Sequence, residues 1–333
     1  MPVPIALLVD DPTPVIHLYR HHIGDIHGES IVAAGGKELV ETIPNAFLDR
    51  FCAVVEERGI RGKFSIVPSP MGRGDVVRGL EGRDPGLVKA WMDTVKARLT
   101  GRMDPSTGSG SNREARFDFG PEMITHSWAV DLATGGLLKE SEHDWSQRQD
   151  RKTLTPYIAR ALSLLKEAGI DASGVTSPWM FAEKVEKEYA AAIAAAQMQV
   201  YGRKLSWYFL QLSDDRAVRP SVMYRDGEST VVSIPACSDD LLWDTIWKHA
   251  GKDPAVVAAL ADKYLTADGR GGLIREVLDG GGWPIFVMHW QTLYSNGAET
   301  GLAVLDTVAE RVNHSLAGKV EWMTCLEMAE ITA

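Results

Sequence analysis

The first predicted strand of this chain ends in two acidic residues. Residues 3–9 form a nearly unbroken apolar run, and Asp10 and Asp11 follow it directly. An apolar run without polar alternation is typical of a strand buried on both faces, as in parallel sheets. Such sheets carry their functional groups at the carboxyl ends of the strands. We therefore expect an α/β fold with the two aspartates at a functional rim; a solvated acidic pair opening a loop is the alternative.

Composition and charge narrow the class of protein. The chain has 333 residues, of which 45% are hydrophobic and 24% charged, with a formal net charge of −10. This balance is that of a soluble globular protein. The negative field repels phosphate backbones and anionic membranes, and no segment approaches the roughly 18 apolar residues of a membrane span. We predict neither a nucleic-acid nor a membrane partner, and we leave a homo-oligomer open.

The cysteines and the amino terminus indicate the cellular compartment in which the protein is expected. Cys52, Cys237 and Cys325 lie far apart, and their odd number excludes a full disulfide framework. Buried free thiols in a reducing compartment are therefore expected. The amino terminus lacks the basic segment of a signal peptide. Together these features predict a cytoplasmic protein.

Strand and helix patterns alternate along the chain. Helical spacing predicts helices at 45–58 and 84–99 and one that begins at Thr155 and Pro156, and short apolar runs predict strands such as 63–67 and 284–290. About seven strand-plus-helix units result, which favours a single distorted (β/α)7-8 barrel. An open doubly wound sheet is the alternative.

The whole chain, 1–333, is predicted to form one domain with a long first loop at 11–44. Loops of this length in compact domains are usually functional. We expect this loop to fold over the rim or to reach a neighbouring subunit.

Polar residues follow several of the predicted strands. If the strands are parallel, their carboxyl ends meet at one rim. Carboxylate oxygens and imidazole nitrogens are ligands of cations such as zinc, although a histidine taken alone is more often a satisfied core residue. The residues expected at the rim are Asp10, Asp11, Glu122, His126, Pro178, Trp179, Asp239, Asp240 and His289.

Tryptophan is abundant, with ten in the chain. Aromatic faces can stack on sugar rings while acids bind hydroxyl groups, so this mixture suits a carbohydrate cleft, and burial in the core is the alternative. Those near predicted loop ends are Trp128, Trp145, Trp179, Trp243 and Trp290.

Four segments carry a family resemblance: Leu8-Val9-Asp10-Asp11, 122–128 (EMITHSW), 174–179 (GVTSPW) and 286–290 (FVMHW). Their order and local pattern resemble the polysaccharide deacetylases of the glycoside hydrolase/deacetylase superfamily of distorted barrels, over nearly the whole chain. The resemblance implies that Asp10 is the general base, that Asp11 and His126 bind a divalent metal, with zinc favoured, and that His289 is the general acid.

The chain departs from the family pattern at three positions. Val130 stands where the family has a second metal-binding histidine, and Asp131 is the nearest candidate to replace it. Pro12 replaces a glycine after the aspartate pair, and Thr176 stands in place of the arginine that orients the general base. Two of the three expected metal ligands therefore remain.

These observations predict a carbohydrate-active hydrolase, with metal-dependent deacetylation of a sugar or polysaccharide fragment as the leading hypothesis. Glycosidic bond cleavage by paired acids such as Asp10, Glu122 or Asp240 is a second hypothesis. A non-catalytic carbohydrate-binding barrel is a third. The expected substrate contacts are Glu122, Trp128, Trp179, Trp290 and Asp240.

Overall fold

The computed structural model describes residues 2–26, 30–32, 38–100, 115–248 and 251–333. The strands are β1 (Val3–Asp10), β2 (Gly62–Ile66), β3 (Gly74–Asp75), β4 (Gly79–Leu80), β5 (Phe117–Pro121), β6 (Trp128–Val130), β7 (Leu137–Ser141), β8 (Gly174–Thr176), β9 (Leu205–Phe209), β10 (Ser221–Arg225), β11 (Thr230–Ser233), β12 (Ile285–His289) and β13 (Val320–Trp322). The α-helices are α1 (Leu18–His21), α2 (Asn45–Arg58), α3 (Pro85–Arg98), α4 (Glu142–Ser146), α5 (Arg151–Glu167), α6 (Glu186–Tyr201), α7 (Asp244–Trp247), α8 (Pro254–Tyr264), α9 (Leu273–Gly280), α10 (Trp290–Tyr294), α11 (Thr300–Ser315) and α12 (Cys325–Thr332).

Strand β1 lies at the centre of the first sheet. It pairs in parallel with β12 along residues 6–10, with β2 along residues 7–9 and with β13 along residues 3–5, and β2 pairs in parallel with β5. Residues 5–9 of β1 are fully buried, as the unbroken apolar run predicts. The register places Asp10 opposite His289, so two predicted site residues meet at adjacent strand ends.

A second sheet contains β8, β9 and β11 in parallel, with β10 antiparallel at its edge. Isolated parallel bridges, Phe119 with Ala172 and Glu122 with Thr176, join the β5 segment to the β8 segment. On the other side, the Cys237 N–H donates to the Ile285 carbonyl at 2.7 Å. The predicted α/β class with parallel strands is confirmed. A closed (β/α)7-8 barrel is not confirmed, because within the described residues the two sheets are joined by isolated bridges and not by a continuous hydrogen-bonded ladder.

One large hydrophobic cluster runs from Ile5 in β1 to Leu316 after α11. Helix α2 contributes Phe47 and Phe51, which are fully buried at the spacing expected for an amphipathic helix. The three cysteines are buried and free, as predicted. No helix in the described ranges has both the length and the apolar character required to cross a membrane.

The helix boundaries follow their capping residues. Helix α2 ends at Gly59, which has φ 69°, and the Asp84 side chain caps α3 by accepting from the Gly86 N–H at 2.7 Å. Helix α5 begins four residues before the predicted Thr155, because Asp150 accepts from the Thr153 N–H at 2.9 Å. Pro156 then lies inside α5, where it removes one helical hydrogen bond.

The described part of the long first loop lies against the rim. Tyr19 in α1 packs its ring 5.1 Å from that of Trp243, and His22 stacks on Trp179 with the ring centroids 4.3 Å apart. Residues 27–29 and 33–37 of this loop lie outside the described residues. Tyr19 and His22 thus lie at the rim, and the folding of the whole loop over it stays a prediction.

Candidate functional site

A cavity of about 260 Å³ opens at the carboxyl ends of β1, β5 and β12. Eight of the nine residues expected at the rim line it, although they come from distant parts of the sequence. The parallel arrangement explains this convergence, since strand ends that are remote in sequence become neighbours at one edge. These eight residues are Asp10, Asp11, Glu122, His126, Pro178, Trp179, Asp239 and His289.

Asp11, Glu122 and His126 form a buried cluster. His126 Nε2 lies 2.8 Å from Asp11 Oδ1 and 3.7 Å from Glu122 Oε1, and one ligand atom from each residue lies within 4.8 Å of the other two. Asp11 Oδ1 has no hydrogen-bond partner of good geometry among the described residues, which is unusual for a buried oxygen. Two carboxylates and an imidazole that converge in this way fit the ligand set of a divalent cation such as zinc.

Glu122, and not Asp131, is the third side chain that lies beside Asp11 and His126. Asp131 lies in the turn between β6 and β7, where its carboxylate accepts from the Ala133 N–H and the Thr134 hydroxyl, both at 2.9 Å. The expectation that Asp131 replaces the family's second histidine is therefore corrected. The signal was present in the sequence, because Glu122 stands four residues before His126 at the end of a predicted strand.

The two carboxylates of the cluster have opposite shifts of pKa. Burial alone would raise the pKa of Asp11, but the imidazoles of His126 and His289 lower it well below its ordinary value. Burial, together with the charges of Asp10 and Asp11, raises the pKa of Glu122 well above its ordinary value. The Asp11 N–H donates to Glu122 Oε2 at 2.8 Å, and Gln291 Nε2 donates to Asp11 Oδ2.

Asp10 is held by a buried lysine that the sequence analysis missed. Lys63 in β2 is fully buried and donates to Asp10 Oδ1 and, at 2.6 Å, to the Ser65 hydroxyl. The Ser65 hydroxyl also lies 2.8 Å from that of Thr176, which stands where the family has an arginine. Lys63 thus supplies the cation beside Asp10. A charged residue within a short apolar strand was the signal that could have found it.

His289 is bound by Asp240, which lies behind it. Asp240 Oδ2 accepts from the His289 N–H at 2.8 Å and from the Thr292 hydroxyl at 2.6 Å, and lies 3.2 Å from His289 Nδ1. Burial lowers the pKa of His289, but the bond to Asp240 and the charges of Asp11 and Asp10 outweigh it and raise this pKa to about 9. Asp240 does not line the cavity, so its expected contact with substrate is replaced by a role in holding His289.

The predicted tryptophans divide between the cavity and the core. Trp179 lines the cavity and is 47% exposed, and Trp243 lines it with its ring 4.3 Å from that of His289. Trp290, expected to contact substrate, is instead buried in the core with its ring 4.7 Å from that of Phe47. Trp128 is half-buried in the β6–β7 hairpin and is not among the residues that line the cavity.

Comparison with known proteins gives only distant structural similarity. A scan against protein-family models finds no match, and no curated protein matches. The chain is similar to 4-α-glucanotransferase from Thermococcus litoralis (10% identity, TM-score 0.47), covering 99% of this chain and 40% of that protein. It is also similar to GH57 branching enzymes from Thermococcus kodakaraensis (12% identity, TM-score 0.45, covering 100% and 71%) and Pyrococcus horikoshii (12% identity, TM-score 0.45, covering 99% and 70%).

The chain therefore spans less than half the length of the glucanotransferase, and similarity at this level assigns it no activity. None of these three structures is described as a polysaccharide deacetylase. The family resemblance read from the motifs thus stays a prediction.

Proposed function

We propose that this chain is a metal-dependent hydrolase that removes an acyl group from a sugar or sugar derivative. The observation that carries the proposal is the convergence of Asp11, Glu122 and His126, whose ligand atoms lie within 4.8 Å of one another in the cavity that Asp10 and His289 also line. This combination offers a cation site, a candidate base and a candidate acid in one cleft.

The residues around the cluster can each take one part in hydrolysis. A divalent ion held by the cluster would supply Lewis-acid polarisation of the acyl carbonyl group. Asp10, fixed by Lys63, accepts a proton from a water molecule in the cavity. His289, with a pKa of about 9, is protonated at neutral pH and donates that proton to the leaving group.

The lining of the cavity supports a sugar as substrate. Tyr19, Trp179 and Trp243 present aromatic rings, and Asp239 adds a carboxylate beside them. Aromatic faces bind the apolar faces of sugar rings, and carboxylates accept hydrogen bonds from sugar hydroxyl groups. The same lining contains no lysine or arginine among the described residues, so it does not favour a phosphorylated substrate.

Acetate release from acetylated mono- and oligosaccharides tests the proposal. We expect EDTA to abolish release and zinc to restore it, since the ion supplies the electrophile. Asp10→Asn should retain the metal, measured by elemental analysis, and lose activity by about 10²- to 10⁴-fold. His126→Ala should lose both the bound metal and the activity. Asp131→Asn, which alters the exposed turn between β6 and β7, is the matched control and should have little effect on either measurement. Acetate release that survives both chelation and Asp10→Asn contradicts the proposal.

Glycosidic bond cleavage is the second candidate. Four carboxylates, those of Asp10, Asp11, Glu122 and Asp239, line the cavity, and oxygens of Asp11 and Glu122 lie within 4.8 Å of each other. Retaining glycosidases place their two carboxyl groups about 5–5.5 Å apart and need no metal ion. Release of new reducing ends in the presence of EDTA, and its loss in Glu122→Gln, would favour this candidate over deacylation.

A further inference from the structure

Glu142, which neither the motifs nor the proposed chemistry includes, is a buried carboxylate beside the His126 loop. It is 1% exposed and is the first residue of α4. Its Oε1 accepts from the Ile124 N–H and the Thr125 N–H, both at 3.0 Å, and from the Tyr157 hydroxyl at 2.7 Å. Its Oε2 accepts from the His126 N–H at 2.8 Å. One side chain therefore binds three consecutive backbone N–H groups.

These three N–H groups belong to a loop with an unfavourable backbone conformation. The loop connects β5 to β6, and both Met123 (φ 48°) and His126 (φ 64°) lie in the left-handed region, which side chains other than glycine rarely adopt. Such residues persist only where their surroundings determine the conformation. The Glu142 carboxylate holds the loop in this conformation, because hydrogen bonds to a charged acceptor are stronger than those between neutral groups.

The imidazole of His126 lacks the usual side-chain partner that orients a metal ligand. A metal-binding histidine normally donates its second ring N–H to a carboxylate or carbonyl oxygen. Here His126 Nδ1 has no hydrogen-bond partner among the described residues. The faces and edges of the ring pack against His22 and Trp179, with ring centroids 5.6 Å and 6.1 Å away. Apart from the contact with Asp11 itself, the backbone at 126 is therefore what sets the direction of Nε2 among the described residues.

We propose that Glu142 is the positioning residue of this site: by binding the backbone N–H groups of 124–126 it directs His126 Nε2 towards Asp11 and Glu122. The consequence for metal affinity rests on the proposed function. The consequence for the loop conformation does not, because the hydrogen bonds exist without an ion.

Glu142→Gln tests the proposal, because the amide group presents an NH₂ to at least one of the N–H donors that the carboxylate binds. In metal-free protein, hydrogen exchange at the amides of 124–126 should become faster by about tenfold or more. The zinc dissociation constant should rise by about 10- to 100-fold, the range found when partners of metal ligands are removed. If Glu142→Gln does not fold, Glu142→Asp keeps the charge but shortens the reach, and the same two effects are expected.

Two control variants separate positioning from general stability. Asp118→Asn alters another carboxylate that accepts a backbone N–H, from Leu326 in α12, and should leave the zinc affinity within twofold. Tyr157→Phe removes one donor from Glu142 and leaves the three N–H bonds, so its effect on zinc affinity should stay below that of Glu142→Gln.

The outcomes are distinct. Faster exchange with weaker zinc binding supports the proposal, and unchanged zinc affinity overturns it even if exchange accelerates. If the wild-type protein binds no zinc, the proposed function fails. Crystal structures of wild-type and Glu142→Gln proteins then decide about Glu142: a displaced imidazole at 126 supports its positioning role, and an unmoved one overturns it.

Discussion

Replacing Lys63 by methionine is expected to lower the free energy of unfolding by about 3–5 kcal/mol, the loss typical of removing one partner of a buried ion pair. Lys63 is fully buried, its ammonium group binds Asp10, and it lies 4.9 Å from the ring centroid of Phe209. Methionine keeps an unbranched side chain that is one heavy atom shorter than that of lysine. The loss therefore arises mainly from leaving the carboxylate of the buried Asp10 without its cation, since the change in side-chain volume is small.

The same reasoning predicts the behaviour of a double variant. Asp10→Asn combined with Lys63→Met removes both charges, and it should recover most of the stability that Lys63→Met loses. The coupling free energy between the two positions, taken from the cycle of the two single variants and the double variant, should be at least about 3 kcal/mol, the upper end for residues in direct contact.

Urea unfolding at pH 7, followed by both tryptophan fluorescence and circular dichroism, measures these differences. The matched control is Lys89→Met, which removes an exposed ion pair with Asp93 on α3 and should change stability by no more than about 0.5 kcal/mol. A loss below about 1 kcal/mol for Lys63→Met, or a double variant no more stable than the single one, would refute the reasoning.

Two further predictions concern pH. Because His289 must be protonated to act as an acid and its pKa is about 9, kcat/KM should fall as the pH rises through about 9. Asp240→Asn removes the carboxylate that raises this pKa, so a pH–rate profile of the variant should show the fall at lower pH. Burial raises the pKa of Asp118 from 3.8 to about 6, so its ionisation lowers stability as the pH rises through this window. Asp118→Asn should therefore stabilise the protein at pH 8 by up to about 3 kcal/mol in urea unfolding, and a gain that persists at pH 3 would contradict this explanation.

The α/β class and most rim residues were accessible from sequence because they depend on local patterns. An apolar run followed by Asp10 and Asp11 predicts a buried strand and its functional end, and His289 follows a second run of the same kind. Both ends of helix α2 were predictable, because helical spacing and the glycine cap at Gly59 depend on residues only a few positions apart in sequence.

The partners of these residues were decided by the tertiary structure. Lys63 reaches Asp10 across 53 residues, and Glu122 reaches the backbone of Asp11 across 111, only because β2 lies beside β1, and β5 beside β2, in this register. The sequence around Trp290 likewise does not show which neighbours cover its ring. Local patterns determine which segments form strands and where they end; side-chain pairing depends on which strands become neighbours, and that is set by packing of the whole chain.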